Sequence, residues 1–235
     1  MRRSTPEAFQ PTAAGAGFIP WAEGWTAAGV IEALEPLTLP RRAARMRAVL
    51  ADRLESVTVV MDAPHDPHNG AAIIRSCEAF GLQRLHVVER VEAFLASRKV
   101  TQGTDRWVDV IRHASAAQAL KALEREQFAL AVAHPQGELL PEDLARLGRV
   151  ALVMGNEHDG VCAELTRAAT HSVRVPMRGF VESLNVSVTT ALLLAAATRD
   201  RPGDLLASEQ AVLYARALAC TVPRAQEVLA NLQPR

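Results

Sequence analysis

Between residues 57 and 200, apolar runs of strand length alternate with segments whose apolar residues recur at the helical period. The six predicted strands are Val57–Met61, Arg84–Val88, Val108–Ile111, Phe128–Ala133, Val150–Met154 and Ser172–Pro176. The four predicted helices in this stretch are Ala71–Phe80, Ala114–Glu126, Val161–Ala169 and Leu184–Thr198. Such alternation favours an open, mostly parallel sheet with helices on both faces. The sequence therefore predicts an α/β fold over residues 57–200.

The flanking segments differ from this central domain. Prolines and glycines are frequent in residues 1–40, which predicts a loosely ordered extension with a short helix near Ala27–Leu34. Residues 41–56 form a predicted amphipathic helix that is rich in arginine. Residues 201–235 are expected to form a helical extension, with helices near Ser208–Ala219 and Pro223–Leu232.

The composition limits the classes of function. The chain has 235 residues, 49% of them hydrophobic, and 26 basic side chains balance 26 acidic ones. Zero net charge argues against a strongly basic coat for nucleic acid, although a local basic patch remains compatible with it. Three widely spaced cysteines show no metal or disulfide spacing, and no secretory signal or membrane-spanning run is visible. We expect a soluble, cytoplasmic protein.

The first segment with distinctive chemistry runs from His68 to Arg75, after the first predicted strand. Asn69 is predicted to cap the following helix, and Arg75 lies off the apolar stripe of that helix. An asparagine and an arginine at the carboxyl edge of a parallel sheet suit a phosphate or a ribose. The alternative is that Asn69 only caps the helix and Arg75 only faces solvent.

The second segment, Met154–Gly160, follows a predicted buried strand. Gly155 and Gly160 permit a tight loop whose backbone can approach a ligand, and Glu157 places a carboxylate in that loop. The loop lacks both the Walker A pattern and the Gly-x-Gly-x-x-Gly dinucleotide pattern, which disfavours a phosphate-loop NTPase and an ordinary Rossmann dehydrogenase. A simple polar turn is the alternative interpretation.

The third segment, Glu182–Val188, opens a helix that is apolar on nearly all sides. Such a helix is buried on more than one side, within the fold or in a subunit interface. Ser183 is the predicted N-cap of this helix. Asn185 needs a specific polar partner if this end of the helix is buried.

Together, the three segments resemble the motifs of the SpoU family of RNA 2′-O-ribose methyltransferases, within the SPOUT class. The resemblance covers roughly residues 57–200. The stretch from His65 to Arg75, the stretch Thr101–Val108 and the helical flanks are most similar to the tRNA (guanosine-18) 2′-O-methyltransferases.

This resemblance implies a SPOUT α/β knot, with a deep trefoil knot tied between about Val150 and Ala197. It implies S-adenosyl-L-methionine as cofactor, tRNA as substrate and a homodimer, in which Arg75 of one subunit faces the cofactor of the other. No metal is required. The implied catalytic residues are Arg75, Asn69, Glu157, Ser183 and Asn185. The implied cofactor-binding residues are Leu152, Met154, Gly155, Asn156, Glu157, Gly160, Val175, Pro176, Ser183, Leu184 and Asn185.

For RNA binding we expect contributions from basic residues on the leading helix, beside Asn69 and after the last helix of the domain. These residues are Arg42, Arg45, Arg53, His68, Arg199 and Arg201. Three other functions stay open from the sequence. They are methylation of ribosomal RNA or of another tRNA position, RNA binding by a knotted protein without catalysis, and small-molecule binding by a flavodoxin-like protein.

Overall fold

The computed structural model describes residues 20–21, 23–89, 107–156 and 158–232. Its centre is a six-stranded, all-parallel sheet with the strand order β3-β2-β1-β5-β4-β6. The strands are β1 Val57–Asp62, β2 Arg84–Val88, β3 Asp109–His113, β4 Ala129–Ala133, β5 Val150–Met154 and β6 His171–Val173. Every predicted strand is present within two or three residues, which confirms the α/β fold with a parallel sheet.

Helices cover both faces of the sheet. They are α1 Ala27–Leu34, α2 Pro40–Ala51, α3 Pro67–Ala79, α4 Ala116–Arg125, α5 Ala163–Ala168, α6 Val186–Ala197, α7 Ala207–Thr221 and α8 Ala225–Asn231, with 3-10 turns at Glu35–Leu37 and Pro141–Arg146. Helices α3 and α6 bury their apolar residues on one face, and α4 and α5 bury theirs on the other. Strand β5 serves both cores because its successive side chains alternate between the two faces. None of the described helices is long and apolar enough to cross a membrane.

A third core joins the two ends of the described chain. Val30 and Leu34 of α1 are fully buried against α7 and α8, where Tyr214 and Leu229 are also buried. The predicted helix at 27–34 is confirmed, and it is packed rather than loosely held, because its apolar side faces α7. Residues 1–19 lie outside the described residues, so the domain division at residue 40 stays a prediction.

Two helices have N-cap residues other than those predicted. Helix α3 begins at Pro67 and is capped by Asp66, whose carboxylate accepts a hydrogen bond from the His68 backbone N–H at 2.8 Å. Helix α6 is capped by Asn185, whose Oδ1 accepts from the Ser187 N–H at 2.8 Å. The predicted caps Asn69 and Ser183 are therefore wrong as caps, since Asn69 lies two residues after the start of α3 and Ser183 lies three residues before the start of α6.

The order of the strands places a candidate ligand site. Strands β1, β2 and β3 run outward in one direction from the centre, and β5, β4 and β6 run outward in the other. The crossover directions therefore diverge between β1 and β5. In open α/β sheets, ligands bind at the carboxyl ends of the strands at such a switch point.

Candidate functional site at the carboxyl edge of the sheet

The first and third sequence segments meet directly at this edge. The Asn185 side-chain Nδ2 donates a hydrogen bond to Asn69 Oδ1 at 3.0 Å, although the two residues are 116 positions apart in the chain. The same Asn185 uses its Oδ1 to cap α6. Asn185 thus joins the first turn of α3 to the start of α6, and it has this polar partner although it is exposed.

The second segment forms a closed turn between them. The Asn156 N–H donates to the Gly160 carbonyl at 3.3 Å, and Asn156 Oδ1 accepts from the backbone N–H groups of His158 and Asp159 at 2.9 and 2.7 Å. A Cβ added to Gly155 would lie 2.2 Å from the carbonyl carbon of Gly160. Only glycine therefore allows the two sides of the turn to approach this closely.

A buried carboxylate fastens this turn to the neighbouring strand. Asp62 is the last residue of β1 and is 1% exposed. One of its carboxylate oxygens accepts a hydrogen bond from the Cys162 N–H at 2.7 Å. The sequence interpretation missed Asp62, although an acidic residue that ends a buried apolar strand was a visible signal.

A cavity of about 500 Å³ opens among these elements. This volume lies within the range of about 300–1,000 Å³ that is typical of small-molecule sites. Eight of the predicted cofactor-binding residues line it: Met154, Gly155, Asn156, Gly160, Val175, Ser183, Leu184 and Asn185. The cavity thus brings the second and third segments together.

Three of the predicted cofactor residues are not placed in the lining. Leu152 is fully buried in the middle of β5, so its prediction as a pocket residue is corrected, and Pro176 is exposed beside the cavity rather than in its wall. Glu157 lies outside the described residues. The sequence missed Ala133, His134 and Pro135, which form another wall after β4. Their position just beyond a predicted strand was the signal that could have found them.

Arg75 does not line the cavity. It lies on the exposed side of α3, six residues beyond Asn69. Within the part of the chain that the structure describes, its guanidinium has neither a hydrogen bond nor an ion pair. Asn69, Ser183 and Asn185 thus lie near one another in one subunit, and Arg75 is exposed outside the cavity.

The predicted RNA-binding residues fall into two groups. Arg42, Arg45, His68 and Arg199 are exposed. Arg53 is only 2% exposed, and it donates to the Leu82 carbonyl at 2.7 Å and pairs with Glu78 at 3.4 Å. Burial lowers the pKa of Arg53 below its ordinary value, and Glu78 partly opposes this decrease. The expected RNA-backbone contact of Arg53 is therefore corrected, because the side chain is buried and two of its three guanidinium nitrogens bind an internal carbonyl and carboxylate.

Arg201 is the second correction. Its guanidinium donates to the backbone carbonyls of Ala197 at 2.6 Å, Gly148 at 2.6 Å and Leu144 at 3.1 Å, and also to the Leu147 carbonyl. Burial lowers the pKa of this group, and Asp204 acts in the opposite direction. Arg201 thus ties the end of α6 to the 3-10 turn at Pro141–Arg146 instead of reaching toward solvent.

Comparisons with known proteins show the family of this chain. The SpoU rRNA Methylase family model matches residues 56–195. The chain is 32% identical over 163 residues to a tRNA (guanosine(18)-2'-O)-methyltransferase of Escherichia coli (strain K12), which covers 69% of this chain and 71% of that protein.

Solved structures give the same relationship. An A. aeolicus TrmH/SpoU tRNA-modifying enzyme matches with a TM-score of 0.66 and 28% identity, over 77% of this chain and 95% of that one. An AdoMet-bound rRNA methyltransferase from Sinorhizobium meliloti matches with a TM-score of 0.56 and 26% identity, over 66% of this chain and 59% of that one. The family model spans more than half of the sequence and includes all three site segments, and the chain therefore belongs to the SpoU methylase family.

Proposed function

We propose that this enzyme transfers the methyl group of S-adenosyl-L-methionine to the ribose 2′-hydroxyl of guanosine 18 in the D-loop of tRNA. The observation that carries the proposal is the Asn69–Asn185 hydrogen bond beside a cavity lined by the second and third segments. The names of the Escherichia coli and A. aeolicus relatives support tRNA as the substrate. A tRNA substrate in turn favours a cytoplasmic location.

The cavity suits the cofactor by its chemistry. The buried Asn156 Nδ2 has no hydrogen-bond partner among the described residues, so it offers a donor to a nucleoside acceptor. Met154, Val175 and Leu184 supply apolar walls, and the absence of a Cβ at Gly155 lets the Gly160 backbone close against it to form the wall of the turn. When bound, S-adenosyl-L-methionine supplies an electrophilic methyl group on its sulfonium. Asn156, the Gly155–Gly160 turn and the Ser183–Asn185 segment would hold it.

The protein must orient a weak nucleophile. A ribose hydroxyl reacts poorly near neutral pH unless its proton is removed or it is held in line with the leaving group. Arginine stays protonated in this pH range, so we assign Arg75 to orienting the hydroxyl and an adjacent RNA phosphate. The hydrogen bond between Asn69 and Asn185 fixes the surface at the carboxyl edge of the sheet on which the ribose would lie. Ser183 and Glu157 complete the proposed catalytic group.

A homodimer would bring Arg75 into the site. Arg75 lies outside the cavity of its own subunit, so it must act on a second copy if it is catalytic. Helix α6 carries a stripe of exposed apolar residues, with Val188 48% and Leu192 44% exposed, followed at the helical period by exposed Ala195. Phe180 and Val181 extend exposed apolar surface in the preceding loop. We propose that α6 and this loop form the subunit interface.

We further propose that the chain between Val150 and Ala197 is tied in the trefoil knot of the SPOUT class. Two contacts support this proposal. Helix α6 packs against α3 and also against the 3-10 turn at Pro141–Arg146, and both of these elements precede β5 in the chain.

Exposed basic residues supply the proposed RNA surface. Arg42 and Arg45 lie on α2, His68 lies beside Asn69, and Arg199 follows α6. A few such charges can guide a phosphate backbone even when the net charge of the chain is zero. The basic segment 41–56, which contains most of α2, and the helical extension at 201–235 would then flank the catalytic domain.

The dimer can be tested with two inactive subunits. We expect Arg75→Ala to abolish turnover with little change in cofactor affinity, and a cavity variant such as Gly155→Ala to lose cofactor binding. A heterodimer purified through two different tags should then recover about half of the wild-type activity, since one of its two sites receives both intact parts. An inactive heterodimer would show that Arg75 acts within its own subunit.

The substrate can be tested by mapping ribose methylation on total RNA from a deletion strain. Loss of the methyl group at tRNA position 18 supports the proposal. Loss of a ribosomal methyl group with unchanged tRNA would overturn the tRNA assignment. An unchanged RNA pool would favour a binding protein without catalysis.

A further inference from the structure

A second cleft lies at the opposite edge of the sheet from the proposed cofactor cavity. Arg53 precedes β1 and Gln83 precedes β2, so both mark the amino-terminal edge. The cleft has a volume of about 280 Å³ and lies between α2, α7 and Trp107. None of the described residues of the three site segments lines it.

Two arginines in the cleft wall are buried and only partly paired. Arg53 binds the Leu82 carbonyl and Glu78, and Arg216 donates to Asp109 at 2.6 Å. They are 2% and 5% exposed, and the Nε of each has no hydrogen-bond partner among the described residues. Buried N–H groups of charged side chains are costly to leave unpaired.

Gln83 adds an unpaired acceptor to the same cleft. Its Nε2 donates to Asp109 Oδ2 at 3.1 Å, which fixes the orientation of the amide, and its buried Oε1 has no partner in the described structure. Three of the eight unpaired buried side-chain atoms recorded for the described residues therefore belong to the lining of this one cleft. Together they offer two donors and one acceptor.

The mouth of the cleft combines exposed basic side chains with apolar and aromatic surface. Arg42 and Arg45 are exposed there on α2, and Met46 and Val49 add apolar surface. Trp107 is partly exposed in the lining. Exposed guanidinium groups bind phosphate, and an indole ring is a surface on which a nucleobase stacks.

The charge balance of the cleft favours an anion. Among the described residues, its four arginines are offset by Glu78 in the wall and by Asp109, which pairs with Arg216. The surplus of positive charge therefore faces a ligand at the mouth.

From this arrangement we infer that the cleft binds a nucleotide, with the base inside against Gln83 and the two buried arginines and the phosphate at Arg42 and Arg45. A guanine suits the inner groups, because its O6 and N7 accept from arginine and its N–H groups donate to a carbonyl. The nucleotide is either free or part of RNA. In the second case, the inference rests on the proposed function and adds a contact to the RNA far from the methylated ribose.

The test is calorimetric titration of the full chain with GMP, with the cofactor cavity saturated by S-adenosylhomocysteine so that GMP cannot occupy it. Gln83→Met, which removes the acceptor while keeping the volume, and Arg45→Gln at the exposed mouth should each weaken GMP binding by about tenfold. Arg41→Gln is the matched control, because Arg41 is exposed on the same helix but does not line the cleft, and its affinity for GMP should stay at the wild-type value.

A single-stranded RNA pentamer with one central guanosine distinguishes the two sources. Tighter binding of the pentamer than of GMP, lost in the same two variants, assigns the cleft to RNA. Equal or weaker binding of the pentamer assigns it to a free nucleotide. Absence of binding by both probes, or equal affinities in Arg45→Gln and Arg41→Gln, would overturn the inference. Binding of S-adenosylhomocysteine in the same experiment reports on the proposed function separately.

Discussion

Asn185 donates a hydrogen bond to Asn69 at 3.0 Å and caps α6 through the other atom of the same amide. One side chain therefore holds two parts of the site that are distant in sequence. This dual role can be separated by substitution, since the donor and the acceptor of the amide serve different partners.

We predict that Asn185→Asp keeps the helix cap and loses the link to Asn69. A carboxylate still accepts from the Ser187 N–H and is favourable at a helix N-terminus, but it cannot donate to Asn69 Oδ1. Turnover should fall by about tenfold or more, with a nearly unchanged melting temperature. Asn185→Ala is the comparison variant, because it should lose stability as well as activity. Equal turnover in Asn185→Asp and the wild type would show that the Asn69–Asn185 hydrogen bond does not contribute to catalysis.

Gly155→Ala should prevent closure of the turn after β5. The added methyl group would meet the Gly160 backbone at 2.2 Å, so the turn must open and the cavity wall must move. Calorimetry should show that S-adenosylmethionine affinity falls by at least about tenfold. Gly148→Ala is the control, since a Cβ there meets nothing within 4 Å. Normal cofactor binding by Gly155→Ala would show that closure of this turn is not required to bind the cofactor.

Arg199 and Arg201 lie two residues apart, but their substitutions should affect different properties, RNA binding for Arg199 and stability for Arg201. Arg201→Met removes donors to four backbone carbonyls and should lower the free energy of unfolding by about 3 kcal/mol in urea denaturation. Arg199→Met changes an exposed side chain, so it should leave stability unchanged and weaken tRNA binding at low salt. A stable Arg201→Met variant with a specific loss of RNA binding would restore the role expected from the sequence.

The stability of the fold should fall in mild acid because of a buried histidine pair. His86 Nδ1 lies 2.8 Å from His113 Nε2, and burial, with a further contribution from His113 and Arg84, lowers the pKa of His86 to about 3. Burial also lowers the pKa of His113. The unfolded chain therefore takes up protons first, so the stability is complete above the unfolded value of about 6.5 and is lost as the pH falls from there toward 3.

Urea denaturation at pH 7.5 and 5 measures this loss, which should be about 2 kcal/mol from His86 alone. His86→Gln keeps a hydrogen-bonding side chain beside His113 but does not titrate, so its pH dependence should be smaller. His158→Gln, an exposed histidine, should retain the wild-type pH dependence. The same pH dependence in His86→Gln and the wild type would contradict the explanation.

The strands were predictable because buried parallel strands are short, nearly continuous apolar runs, as in Val150–Met154. The start of α3 could also have been predicted from the sequence, since Asp66 followed by Pro67 is a cap followed by a proline at the first helical position. Local pattern did not separate Ser183 from Asn185, because both residue types cap helices. The burial of Arg53 depends on Leu82 and Glu78, which are more than 20 residues away, so no local rule could predict it.

The most direct test of the central claim uses two tRNA transcripts that differ in one atom. The purified protein and S-adenosylmethionine are incubated with a tRNA that carries guanosine at position 18, and with the same tRNA that carries 2′-deoxyguanosine there. Nucleoside mass spectrometry should detect 2′-O-methylguanosine from the first transcript and no methylated guanosine from the second. Equal methylation of both transcripts, or methylation of neither, would contradict ribose methylation at position 18.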